Sequence, residues 1–86
     1  MTSAELCRER GWKPGDVIET STPKRRYRFR YRLTAIGEEI VLGRHVMWYE
    51  EGAWKETVSF AQVEAAINLT LGEWVKTKPN NMETHP

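Results

Sequence analysis

The chain has 86 residues, with 13 Lys or Arg against 12 Asp or Glu, and carries four Trp, three Tyr and two Phe. That length gives one domain whose buried fraction is modest, so its aromatic residues have to pack well. The lone Cys7 excludes an internal disulfide and a cysteine-based zinc site, and no stretch approaches the roughly 20 apolar residues of a membrane span. MTSAELCRER lacks the apolar run of a signal peptide, and a reducing bacterial cytoplasm is the expected location, with no membrane partner.

Thr2 or Ser3 can cap a short helix over residues 4–10, with Glu5 early, Arg8 and Arg10 late, and Gly11 as its stop. So short a helix is marginal alone and must dock through Leu6 and Cys7. Cys7 is expected to be a packed small hydrophobe rather than a nucleophile. Trp12-Lys13-Pro14-Gly15 is a turn in which Pro-Gly suits the centre of a type II bend. Residues 16–20, DVIET, follow as a first strand.

The run GWKPGDVIE, followed by a long strand and short hairpins, resembles the opening of small SH3-like barrels. CRERGWKPGD is similar to short proteins encoded by tailed bacteriophages and prophages. The resemblance covers residues 7–18 and the spacing beyond them. It implies a small barrel of phage or prophage origin and brings no catalytic residue with it.

Residues 24–36, KRRYRFRYRLTAI, are the most ordered pattern in the chain. Arginine stands at 26, 28, 30 and 32, with Tyr27, Phe29, Tyr31 and Leu33 interleaved. Side chains alternate across a strand, so this segment has one arginine face and one apolar face. A two-residue loop at Gly37-Glu38 would set Ala35 against Ile40, Leu33 against Leu42, Phe29 against Val46 and Tyr27 against Trp48 on the core side. Arg30 would then meet His45, Arg28 Met47 and Arg26 Tyr49. The same register puts Arg44 opposite Tyr31 on the core side, a misfit that a bulge at Gly43 would relieve.

Glu50-Glu51-Gly52 turns the third strand into a fourth over residues 53–58. A three-residue loop with a bulge places Trp54 beside Trp48 in the core; a two-residue loop places it beside Tyr49 on the arginine face. Ser59 and Gln62 have capping-box spacing, and Phe60, Val63, Ala66, Ile67 and Leu71 recur at helical intervals, so residues 59–71 predict a helix laid over the sheet. Residues 79–86 read as a polar, disordered tail beyond a single domain of residues 1–78. The expected fold is thus mainly β: a small antiparallel sheet or SH3-like barrel of four or five strands, with a short N-terminal and a C-terminal helix.

Charge is segregated along the chain. Six of the thirteen bases lie within residues 24–32, leaving seven elsewhere against all twelve acids. Arginines two apart on a strand recur every ~6.6–7 Å, near the spacing of successive phosphates on a nucleic-acid strand. Arg26, Arg28, Arg30 and Arg32, with His45 and Tyr49 beside them, therefore predict a nucleic-acid-binding face. The plainer reading has the same arginines paired with Glu19, Glu38, Glu39, Glu50, Glu51 and Glu56 on a solvated face. The alternative function is a phage- or prophage-encoded interaction or inhibitory module that grips an acidic host protein. His45 and His85 are far apart, no acid falls in a catalytic motif and there is no glycine-rich phosphate loop, so neither enzyme activity, metal nor cofactor is expected.

Overall fold

The computed structural model of the protein describes residues 1–20 and 28–77. Helix α1 spans Ser3–Arg10, and six strands follow: β1 Val17–Thr20, β2 Arg28–Ile36, β3 Val41–Glu50, β4 Ala53–Glu56, β5 Glu64–Ile67 and β6 Trp74–Lys76. They form one antiparallel sheet in the order β4-β3-β2-β1-β6, with β5 also paired to β3. Among the described residues no ladder joins β6 to β4 or β5, so the sheet is open.

Local chemistry builds α1. Thr2 caps it reciprocally with Glu5: Glu5 N donates to Thr2 Oγ1 at 3.1 Å and Thr2 N to Glu5 Oε1 at 2.8 Å. Gly11, at φ 72°, closes the other end in the left-handed region. The helix covers one face of the sheet, where Ala4, Cys7 and Trp12 pack with Ile18, Leu33, Val41 and Leu69. This core is more aliphatic than the sequence predicts. Phe29, Leu42 and Trp48 are half-buried, and Ile40 is 61% exposed. Tyr27, expected beside them, lies outside the described residues.

The β2–β3 register is displaced from the expected one. Gly37 N donates to Ile40 O at 2.8 Å, so the tip of the hairpin is Glu38-Glu39 rather than Gly37-Glu38. Tertiary contacts with α1 hold it there: Arg8 donates to the carbonyls of Gly37 and Glu38 at 2.9 and 3.0 Å, and Ala4 N, an otherwise unpaired donor of the first turn, to Glu39 O at 3.2 Å. Over Arg28–Arg30 the two-residue shift preserves which face each side chain occupies, whereas beyond the irregularities Val41 rather than Leu42 enters the core. Arg28 meets Tyr49, Phe29 meets Trp48 and Arg30 meets Met47. Between two irregularities, at Arg30/Tyr31 and Leu33/Ala35, the pairing slips by one, giving Tyr31 against His45 and Arg32 against Arg44. The extra residues are Val46 on β3 and Thr34 on β2, not Gly43, and the slip carries Arg44 out of the core.

The C-terminal helix expected over residues 59–71 is replaced by a 3-10 turn, Ser59–Ala61, and strand β5. Phe60 and Val63, expected to cover the sheet, are 86% and 64% exposed. Strand β4 occupies only the Met47–Glu50 half of one β3 edge, and β5 pairs the remaining half from Val41 to Arg44. Gly43 makes the fit possible, because a Cβ there would lie 2.6 Å from Ile67 Cδ1 and 2.9 Å from Arg32 O. A ladder of backbone hydrogen bonds and an aliphatic side chain seated on Gly43 outweigh the helical spacing of the apolar residues.

Candidate functional site

The face of the sheet opposite α1 carries the arginines, and β1 supplies its counter-ion. Glu19 pairs with Arg30 across the β1–β2 ladder. Its carboxylate, buried with the strand, accepts from Arg28 Nη2 and from Arg30 Nε, the latter at 3.0 Å. Two arginines therefore share one carboxylate. Both stems are held against the sheet, and about one unit of positive charge remains between them.

The Glu51-Gly52 turn settles the place of Trp54. Both residues have positive φ, 55° and 84°, as a two-residue type I′ hairpin loop requires, and Tyr49 faces Trp54. The two rings meet edge to face with centroids 5.3 Å apart. The Arg28 guanidinium carbon stands 5.6 Å from the Tyr49 ring centre and 5.5 Å from that of Trp54, and the Arg30 carbon stands 3.8 Å from Trp54. Arg30 also donates to Met47 Sδ at 3.6 Å. A half-exposed aromatic pair with positive groups over its rings can stack planar groups and attract anions at the same place.

Farther along β2 the chemistry changes. Arg32 and Arg44 are cross-strand partners and both are exposed. Arg44 Nη1 donates to Gln62 O at 2.7 Å. Glu64, paired with Arg44 on the β5 side, accepts from Thr34 Oγ1 instead.

Of the predicted site residues, Arg28, Arg30, Arg32 and Tyr49 share this face, whereas Arg26 lies outside the described residues. His45 does not share it. The slip in register turns it to the α1 side, where its ring packs 5.4 Å from Phe29 and 5.3 Å from Tyr31 and Nδ1 is hydrogen-bonded to Thr57 Oγ1 at 2.8 Å. Burial there holds the imidazole pKa below its usual value and pushes the Tyr31 phenol up. The sequence names Glu19 among six possible acidic partners of the arginines without singling it out as the shared counter-ion, and it does not place Arg44 on the face. Alternation within DVIET, two residues on from Val17, is a usable signal for Glu19, and the misfit of Arg44 opposite Tyr31 is the signal for Arg44.

Cys7 is fully buried under the sheet, and desolvation raises its thiol pKa, with Arg8 opposing. Among the described residues no cluster of His, Cys, Asp and Glu is arranged to hold a metal ion, and no helix is long and apolar enough to cross a membrane.

Residues 1–78 match the family described as domain of unknown function (DUF7241), and the chain belongs to it. No curated protein and no solved structure matches the chain.

Proposed function

We propose that this member of the DUF7241 family is a non-catalytic binding module that takes single-stranded nucleic acid on the outer face of its sheet. The observation that carries the reading is the placement of Tyr49 and Trp54 side by side beneath the guanidinium of Arg28. Base stacking on aromatic side chains tolerates any sequence, and a cation over the same rings attracts the strand that carries the bases. Glu19 offsets part of the charge that four arginines would bring, so stacking carries more of the affinity than the composition implies. Duplex DNA, whose bases are already stacked, should bind less well. In this reading the protein acts in a bacterial cytoplasm, as its resemblance to phage and prophage proteins implies.

Titration of labelled single-stranded and duplex oligonucleotides at low salt tests it. Single strands should bind more tightly, and Trp54→Ala should weaken them by roughly tenfold, as loss of one stacked base implies. Absence of binding to either form at high micromolar protein, or no effect of Trp54→Ala, overturns the reading.

A second reading, an acidic protein gripped by the same face, is favoured by the exposed Val58, Phe60 and Val63. Their loop touches the face through the Arg44–Gln62 hydrogen bond. Large exposed apolar side chains beside cations suit a protein surface with a mixed apolar and acidic patch. Loss of partner binding in Phe60→Ser, with oligonucleotide binding absent throughout, is its distinguishing result.

A further inference from the structure

Four arginines lie on the described outer face, and they divide by how their charge is balanced. Arg28 and Arg30 share the Glu19 carboxylate. Arg32 and Arg44 stand directly opposite one another on paired strands, where like charges repel. Among the described residues no ion pair reaches either of them. The carboxylate nearest in the ladder, Glu64, is directed to the Thr34 hydroxyl at 2.5 Å. Arg44 is not a loose side chain, since Gln62 O anchors one of its terminal nitrogens at 2.7 Å. Its guanidinium still has other N–H donors to offer.

We infer that Arg32 and Arg44 form a discrete oxyanion locus that takes one phosphate group between the two guanidiniums. Phosphate suits it because each arginine can present a planar fork to two oxygens of a tetrahedral anion, and the anion relieves the repulsion between them. The locus lies four β2 residues from Arg28, ~13 Å at the usual strand rise. A strand whose phosphate sits there would present a base roughly two nucleotides away to the Tyr49–Trp54 pair. The inference as applied to nucleic acid rests on the proposed function; the oxyanion locus itself does not, since a free phosphorylated ligand carries the same group.

The full chain and Arg32→Gln/Arg44→Gln are compared in two arms. In the first, inorganic phosphate is titrated at constant ionic strength while the arginine side-chain N–H resonances are followed. Arg32 and Arg44 should shift and Arg30, held by Glu19 and Trp54, should not. In the second, the salt dependence of binding to a labelled oligothymidine is measured, and the double substitution should flatten the log-log slope by about 0.7, the one phosphate held by the pair on a single strand. Both results together support the locus within the nucleic-acid reading. A phosphate response without oligonucleotide binding supports the locus with a free phosphorylated ligand as its source and removes the nucleic-acid reading. Oligonucleotide binding with an unchanged slope and no phosphate response overturns the locus and leaves that reading standing. Failure of both arms removes both.

Discussion

The guanidinium carbon of Arg30 stands 3.8 Å from the ring centre of Trp54, while its Nε donates to Glu19 at 3.0 Å. One side chain thus ties β1, β2 and β4 together across the outer face. Its charge is largely withdrawn from water, and a cation–π contact is strongest under those conditions. Trp54→Leu, which keeps an apolar side chain but removes the quadrupole, should lower stability by about 1–2 kcal/mol in urea unfolding. A change within about 0.3 kcal/mol would mean that the contact is incidental.

Glu19 is the acid that Arg28 and Arg30 share. Removing one partner of a buried pair usually costs about 3–5 kcal/mol, because the remaining charge is left without compensation. The Arg28 side chain is 37% exposed and can turn to solvent, which discounts the effect. Glu19→Gln should therefore destabilise by about 2–3 kcal/mol, most of it through Arg30. Chemical unfolding measures it, and a neutral result would place both arginines in water.

Gly43 is required by crowding rather than by backbone conformation. A methyl group there would sit 2.6 Å from Ile67 Cδ1 and 2.9 Å from the Arg32 carbonyl, so either Ile67 leaves its seat or β2 and β3 separate. Gly43→Ala should cost about 1–3 kcal/mol, as overpacked sites do, and hydrogen exchange should show β5 protected less than β1. Unchanged protection across Glu64–Ile67 would show that β5 does not depend on that seat.

His45 gives the fold a pH dependence of known sign. Its folded-state pKa lies below the ordinary 6.5 because burial disfavours the imidazolium. The contribution is thus fully present above the unfolded value and is lost as pH falls through the folded pKa, where the unfolded chain binds the proton more readily. Melting temperature should decline on acidification from about pH 7 to 5, before most carboxylates titrate, and His45→Gln should reduce that decline. An imidazole that titrates at or above 6.5 by NMR contradicts the assignment.

What the sequence reveals and hides follows from how local each determinant is. The cap of α1, its glycine stop and the Pro14-Gly15 turn depend on neighbouring residues and are legible. The alternation around Phe29, Arg30 and Tyr31 is legible for the same reason. Register is not, because Arg8 and Ala4 of a distant helix fix the tip of the β2–β3 hairpin. Nor is β5, since the open half of the β3 edge and the absence of a side chain at Gly43 become visible only once β3 and β4 have paired. The candidate site divides along the same line. Arg28, Arg30 and Tyr49 lie on one face by simple alternation, whereas the misfit of Arg44 announces an irregularity in β3 but not its position at Val46, which exchanges His45 for Arg44.

Whether Tyr49 and Trp54 form a base-stacking platform on an arginine-bearing face is read from the tryptophan indole N–H resonances during titration with a short oligothymidine at low salt. Trp54 should shift and saturate, while Trp12, buried against α1 on the other face, should stay in place. An unmoved Trp54 at millimolar oligonucleotide, or equal shifts at Trp12 and Trp54, would contradict it.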